Sequence, residues 1–194
     1  MTLESLLKKI RACTQCKGHL PLGPNPVLRA KPSARLLIIG QAPGTRVHKT
    51  GLPWNDLSGD RLRDWLGLTS CEFYDDRKIA IMPMGFCYPG KGKGGDLPPR
   101  PECAQRWHAK VRQLLPDVKL TLLIGRYAQT YYLAEAKSST LTATVKAWPE
   151  YLPKGFLPLV HPSPRNQRWL KRNPWFARQV LPALKKEVRA VLSS

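Results

Sequence analysis

Four short, largely apolar runs punctuate the chain, at 36–39, 79–82, 120–124 and 156–160. Runs of this length bounded by glycine, proline or charge predict strands buried on both faces, the pattern of a parallel sheet rather than of a half-solvated one. Apolar residues at helical spacing fill the intervals. Leu3, Leu6, Leu7 and Ile10 predict a helix over 2–11, and further helices are predicted over 59–66 with Ser58 as N-cap, 103–115, 127–134 and 175–192. The stretch from the first helix to Pro32 is a loop rich in Pro and Gly, as is 89–95. Strands alternating with helices imply a three-layer α/β/α sandwich around a four-stranded, mostly parallel sheet. At 194 residues, the expectation is a single domain over 1–194.

In such sheets ligands bind beyond the carboxyl ends of the strands. Two polar motifs fall there: Gly40-Gln41-Ala42-Pro43-Gly44 after the first strand and His161-Pro162-Ser163-Pro164 after the last. Charge narrows the partner. Lys and Arg number 32 against 13 Asp and Glu, a net +19 that points to a polyanion. No apolar run approaches the ~18 residues of a membrane span, and the N-terminal sequence lacks the apolar core of a signal peptide. The expected setting is the reducing cytoplasm, where five cysteines point to metal or redox chemistry rather than disulfides. Cys13 and Cys16 form a C-x2-C pair, while Cys87 and Cys103 flank a Pro-, Gly- and Lys-rich loop with no core-forming pattern. Four soft thiolates suit zinc or an iron–sulfur cluster, against the alternative of unconnected free thiols. Cys71 has no such setting and reads as an ordinary partly buried thiol.

Taken in order, the C-x2-C pair, GQAPG, the C-x15-C loop and HPS resemble the uracil-DNA glycosylase superfamily, and most closely its iron–sulfur branch, family 4. The resemblance spans nearly the whole chain. It implies a [4Fe-4S] cluster on Cys13, Cys16, Cys87 and Cys103, and a DNA enzyme that flips a deaminated base, uracil first among them, into a pocket and hydrolyses its glycosidic bond. Trp54, in a segment similar to the family's GxPF, would stack on the base. Gly40, Gln41 and Ala42 would meet the base edge, and His161 would donate to the base oxygen as charge develops. Ser163, Arg165, Asn166 and Arg168 would contact DNA, with Lys171 and Arg172 adding phosphate contacts. His48 is a candidate phosphate or pocket contact, and His19 and His108 read as ordinary structural histidines.

Two positions depart from the family pattern. Gln41 stands where the family has glutamate, and an amide can orient water or bind substrate but cannot act as a base. Pro83 stands where the family has the asparagine that reads uracil, which leaves the backbone near Met84 and Gly85, or the Asn55-Asp56 pair, to read the base. Asp56 is the candidate water activator, against the plainer role of a helix N-terminal contact. Two other readings remain: a glycosylase fold without activity that binds damaged or single-stranded nucleic acid, and a zinc-binding RNA scaffold. Nothing in the sequence requires a dimer, so a monomer is expected.

Overall fold

The computed structural model describes residues 1–133, 136 and 139–193. Its strands are β1 (Leu36–Ile39), β2 (Ile79–Ile81), β3 (Lys91–Gly92), β4 (Gly95–Asp96), β5 (Leu120–Ile124) and β6 (Phe156–Leu159). Four of them form one sheet in the order β2-β1-β5-β6, with every pairing parallel. Ile38 lies level with Ile81 on one side and Leu122 on the other. Because successive side chains point to opposite faces, Leu37 and Ile39 enter one apolar layer and Leu36 and Ile38 the other. The first layer takes Leu3, Leu6, Leu7 and Ile10 of the helix Leu3–Arg11, and the second takes Leu62, Trp65, Phe176 and Val188. Helices therefore cover both faces, and the expected α/β/α sandwich is the observed one. Among the described residues no helix is long and apolar enough to cross a membrane.

Several boundaries differ from the sequence expectation, each for a local reason. The helix expected from 59 runs Leu57–Leu66, and its N-cap is Asp56, whose Oδ1 accepts from Gly59 N at 2.9 Å, rather than Ser58. The helix expected over 103–115 opens earlier, at Pro101, where a missing N–H costs nothing. It carries a π-helical segment at Ala104–His108 that turns both Trp107 and His108 inward. The helix expected over 127–134 is Arg126–Tyr132, with Ala134 outside the described residues. At the carboxyl end a π segment, Phe176–Val180, leads into Leu181–Ser193. The loop over 89–95 contains a small antiparallel hairpin, β3 against β4. The free edge of β2 is covered by an isolated antiparallel bridge to Arg29.

His108 is a satisfied core histidine, as expected. Its Nε2 donates to the Pro83 carbonyl (3.1 Å), so Nδ1 accepts from the Tyr132 hydroxyl (2.7 Å). Phe86 stacks on the ring at 5.6 Å. Burial lowers its pKa to about 4. An imidazole that titrates near 6.5 when unfolded takes up its proton first in the unfolded state, so stability is fully present above pH 6.5 and is lost as pH falls towards 4. The loss attributable to this residue is about 3 kcal/mol. Urea titrations between pH 4 and 7 should show His108→Gln with a shallower pH dependence than the parent by that amount. Equal slopes would mean that His108 is not held neutral by burial.

Candidate functional site

β1 ends at Gly40, and the chain beyond β2 stays hooked to it: Met84 N donates to Gly40 O (2.9 Å) and Gly85 N to Gln41 O (3.0 Å). This places Pro83 beside the first motif. A pocket opens there, lined by Gly40, Gln41, Ala42, Trp54, Pro83 and His161, with Asp56 on its wall. Residues from four separate stretches of sequence thus meet at the carboxyl edge of the sheet.

Trp54 is held in place by its backbone. Its φ of 58° lies in the left-handed region, a conformation that costs about 1–2 kcal/mol outside glycine. The Trp54 carbonyl accepts from Arg63 (3.3 Å), and the Pro53 carbonyl accepts from the Tyr74 hydroxyl (3.0 Å). Two glycines make room. A Cβ on Gly40 would stand 2.8 Å from the indole, and one on Gly59 would land on the Trp54 carbonyl oxygen. The indole ring lies 5.4 Å from the His161 ring, tilted by 32°.

His161 has a defined protonation state. The Ser163 backbone N–H donates to its Nδ1 (3.1 Å), so the ring proton sits on Nε2 and the imidazole is neutral. Burial holds its pKa below the ordinary value, partly offset by the charge of Asp56. Asn166 Nδ2 donates to the His161 carbonyl (2.8 Å) and Ser163 Oγ accepts from Arg165 N (3.2 Å), so two residues expected on DNA also shape the loop that carries the histidine. Arg165 reaches across to the Gly94 carbonyl (3.0 Å), and Arg168 is exposed.

The remaining candidates divide. Asp56 lines the pocket, yet one carboxylate oxygen is engaged in the helix cap. Asn55 is not among the lining residues, its amide lying 3.5 Å from Thr50 Oγ1. Gln41 lines the pocket and donates to the Leu97 carbonyl (3.3 Å), a bond that a glutamate could not make. His48 stacks edge-on to Tyr88 at 6.4 Å, with Nδ1 buried and unpartnered among the described residues. Sequence reasoning missed Asp96. It is an exposed residue close to the first motif: a Cβ on Gly44 would stand 3.6 Å from its Oδ2, and partial desolvation raises its pKa despite Arg165 nearby. Its place inside a stretch read as loop left no signal to find it by.

The family model of the uracil DNA glycosylase superfamily matches residues 29–185. The chain belongs to that superfamily. Glycosylase-type function and action on DNA are what the superfamily domain carries.

Within this superfamily fold, Cys13, Cys16, Cys87 and Cys103 line one small cavity with Leu20, Phe86 and Trp107 as apolar walls. Val27 N, bonded to Phe86 O at 2.8 Å, ties the loop after Cys16 to the one bearing Cys87. Burial pushes the Cys103 thiol up to about 12 and raises those of Cys16 and Cys87, so as free thiols they are poor nucleophiles. Among the described residues no three His, Cys, Asp or Glu side chains close on a single-ion position. Cys71 is not among the residues lining this cavity, and it is exposed rather than the partly buried thiol expected.

Gly59→Ala tests the seat of Trp54 by the sign of its effect. In an unencumbered helix the change stabilises by about 1 kcal/mol. Here the new methyl collides with the Trp54 backbone, and chemical denaturation should show a loss of about 2 kcal/mol or more.

Proposed function

We propose that this protein is a monofunctional DNA N-glycosylase of the iron–sulfur family 4 type, a single domain over 1–194, acting as a monomer on deaminated bases, uracil first among them. The observation that carries the reading is the hydrogen bond from Ser163 N to His161 Nδ1, which leaves a neutral imidazole with its one N–H at the pocket beside Trp54. The single-domain reading is supported by the helix Leu3–Arg11, which lies before the matched span yet buries its apolar face in the same core. Such an enzyme works where the genome is, in the cytoplasm.

In this mechanism a base flipped from the helix stacks on the Trp54 indole, its edge meeting backbone groups of Gly40, Gln41 and Ala42 and of the segment after Pro83. The C1′–N bond breaks and its electron pair leaves on the base, where the His161 Nε2–H donates to the developing oxyanion. Water attacks C1′ and gives its proton to the Asp56 carboxylate, leaving an abasic site and the base anion, which takes up a proton from solvent as Asp56 releases its own. Ser163, Arg165, Asn166, Arg168, Lys171 and Arg172 contribute to phosphate contact, which positions the strand without reading it.

Four thiols converging on one apolar-walled cavity, with Arg100 near Cys16, fit a [4Fe-4S] cluster in their donor chemistry. Cys13, Cys16, Cys87 and Cys103 would hold the cluster, and its role would be structural, joining the segment between Cys87 and Cys103 to the loop after the first helix.

Excision from oligonucleotides bearing uracil, hypoxanthine or xanthine, followed by alkaline cleavage, tests the reading directly. Removal of uracil is expected, with His161→Ala slower by about 10²–10³-fold and Trp54→Ala by about tenfold or more. Because neutral His161 is the working form and its pKa is lowered, the rate should not fall as pH drops through 6.5. Salt-sensitive binding without excision would favour the binding-only reading, which Gln41 engaged on Leu97 and the side chain of Pro83 support. The purified protein should be brown with absorbance near 400 nm, and Cys87→Ser should lower stability along with that colour. A colourless protein holding zinc would remove the cluster.

A further inference from the structure

The helix Arg126–Tyr132 begins where β5 ends, and residues four apart share a helix face. Tyr127 and Tyr131 are such a pair, and both rings are unusually open, 42% and 45% exposed. Tyr131 is pinned in that position, its hydroxyl donating to the Ala104 carbonyl (3.2 Å) and its ring edge-on to Tyr132 at 5.0 Å. The two tyrosines line a surface groove of about 760 Å³ together with Met84, Pro99, Pro101 and Ala104. By the same measure the pocket at Trp54 is about 60 Å³, so the groove admits a segment of chain where the pocket admits one ring.

Groove and pocket adjoin. Met84 follows Pro83, which lines the pocket, and its N–H is bonded to the Gly40 carbonyl. On the other side Gly125, immediately before Arg126, is so close to His161 that an added Cβ would stand 4.0 Å from the histidine Cβ. The chemistry of the groove is equally specific. Arg126 is held by the Ser139 carbonyl (2.8 Å), and no carboxylate forms an ion pair with it among the described residues. Thr130 Oγ1 is buried in the lining with no hydrogen-bond partner among the described residues. Open aromatic faces beside an uncompensated, exposed guanidinium are what unpaired nucleotides bind by.

We propose that this groove is a second nucleic-acid subsite that takes unpaired nucleotides flanking the one in the pocket, with bases stacked on Tyr127 and Tyr131, and that it makes single-stranded DNA the preferred substrate form. The inference deepens the reading of the pocket as a base-excision site and rests on it for the word substrate. The binding itself does not.

The test is fluorescence anisotropy with a lesion-free single strand of about 12 nucleotides, its duplex, and a matching strand of abasic sugar-phosphate. The parent protein is expected to favour the base-bearing single strand. Tyr127→Ala with Tyr131→Ala should weaken that strand by about tenfold or more while leaving the duplex unchanged, and the double Phe variant should retain it. Tyr127→Ala alone should give part of the loss while leaving intact the ring contacts that Tyr131 makes with Tyr132 and His108. Unchanged single-strand affinity in the Ala variants, an equal loss on duplex, or equal binding of the abasic strand would overturn the proposal. Strong, tyrosine-dependent binding by a protein that excises nothing would instead retain the groove and sink the glycosylase reading.

Discussion

β1 is the constraint on which the structure turns. Leu36, Leu37, Ile38 and Ile39 are fully buried, paired to β2 along one edge and β5 along the other, and packed against helices on both faces. A strand enclosed on all four sides has no freedom of register, because a slip of one residue would exchange its two faces. Where such a strand ends, the backbone must find new partners at once. The Gly40 and Gln41 carbonyls find them in the amides of Met84 and Gly85, and the chain after β2 is thereby fastened along the first motif. The pocket wall is thus a continuation of sheet pairing beyond the sheet.

On this frame the site sets a strained residue against a relaxed one. Trp54 holds a left-handed backbone that costs about 1–2 kcal/mol, and the hydrogen bonds from Arg63 and Tyr74 to the adjacent carbonyls offset a cost of that size. His161 needs no strain. Its tautomer follows from one backbone amide two residues on, and its neutrality from burial. The Asn166 side chain closes the same loop. The ring that would stack and the ring that would donate are therefore positioned independently, one by steric exclusion at Gly40 and Gly59, the other by hydrogen bonds within its own loop.

The segment between Cys87 and Cys103 joins the cysteine cavity to this pocket. It carries the β3–β4 hairpin, which is tied to the first motif through Gln41 and Leu97 and to the last motif through Arg165 and Gly94. Order at the cysteines is thereby transmitted to both motifs by two hydrogen bonds. Gln41 departs from the family pattern, yet its amide is suited to this contact, since a carboxylate facing the Leu97 carbonyl would be repelled.

How much of this was legible in the sequence depends on how local each determinant is. The four apolar runs specified the strands and their burial, since a run without polar alternation has no face to give to water. The cysteine spacing and the two strand-end motifs specified which stretches carry the candidate site, and the superfamily they resembled is the one to which the chain belongs. The tertiary structure decided the rest. Asp56 and Ser58 are both good caps by type, and only the path of the chain from Trp54 selected the first. Gln41 and Arg165 meet one hairpin across 56 and 71 residues of sequence, and Tyr127 and Tyr131 are exposed only because the packing around them left a groove. Periodicity and composition report what a segment buries. Which distant groups then face one another is settled by the packing of the segments, and the chemistry of the site is read from those distant pairs.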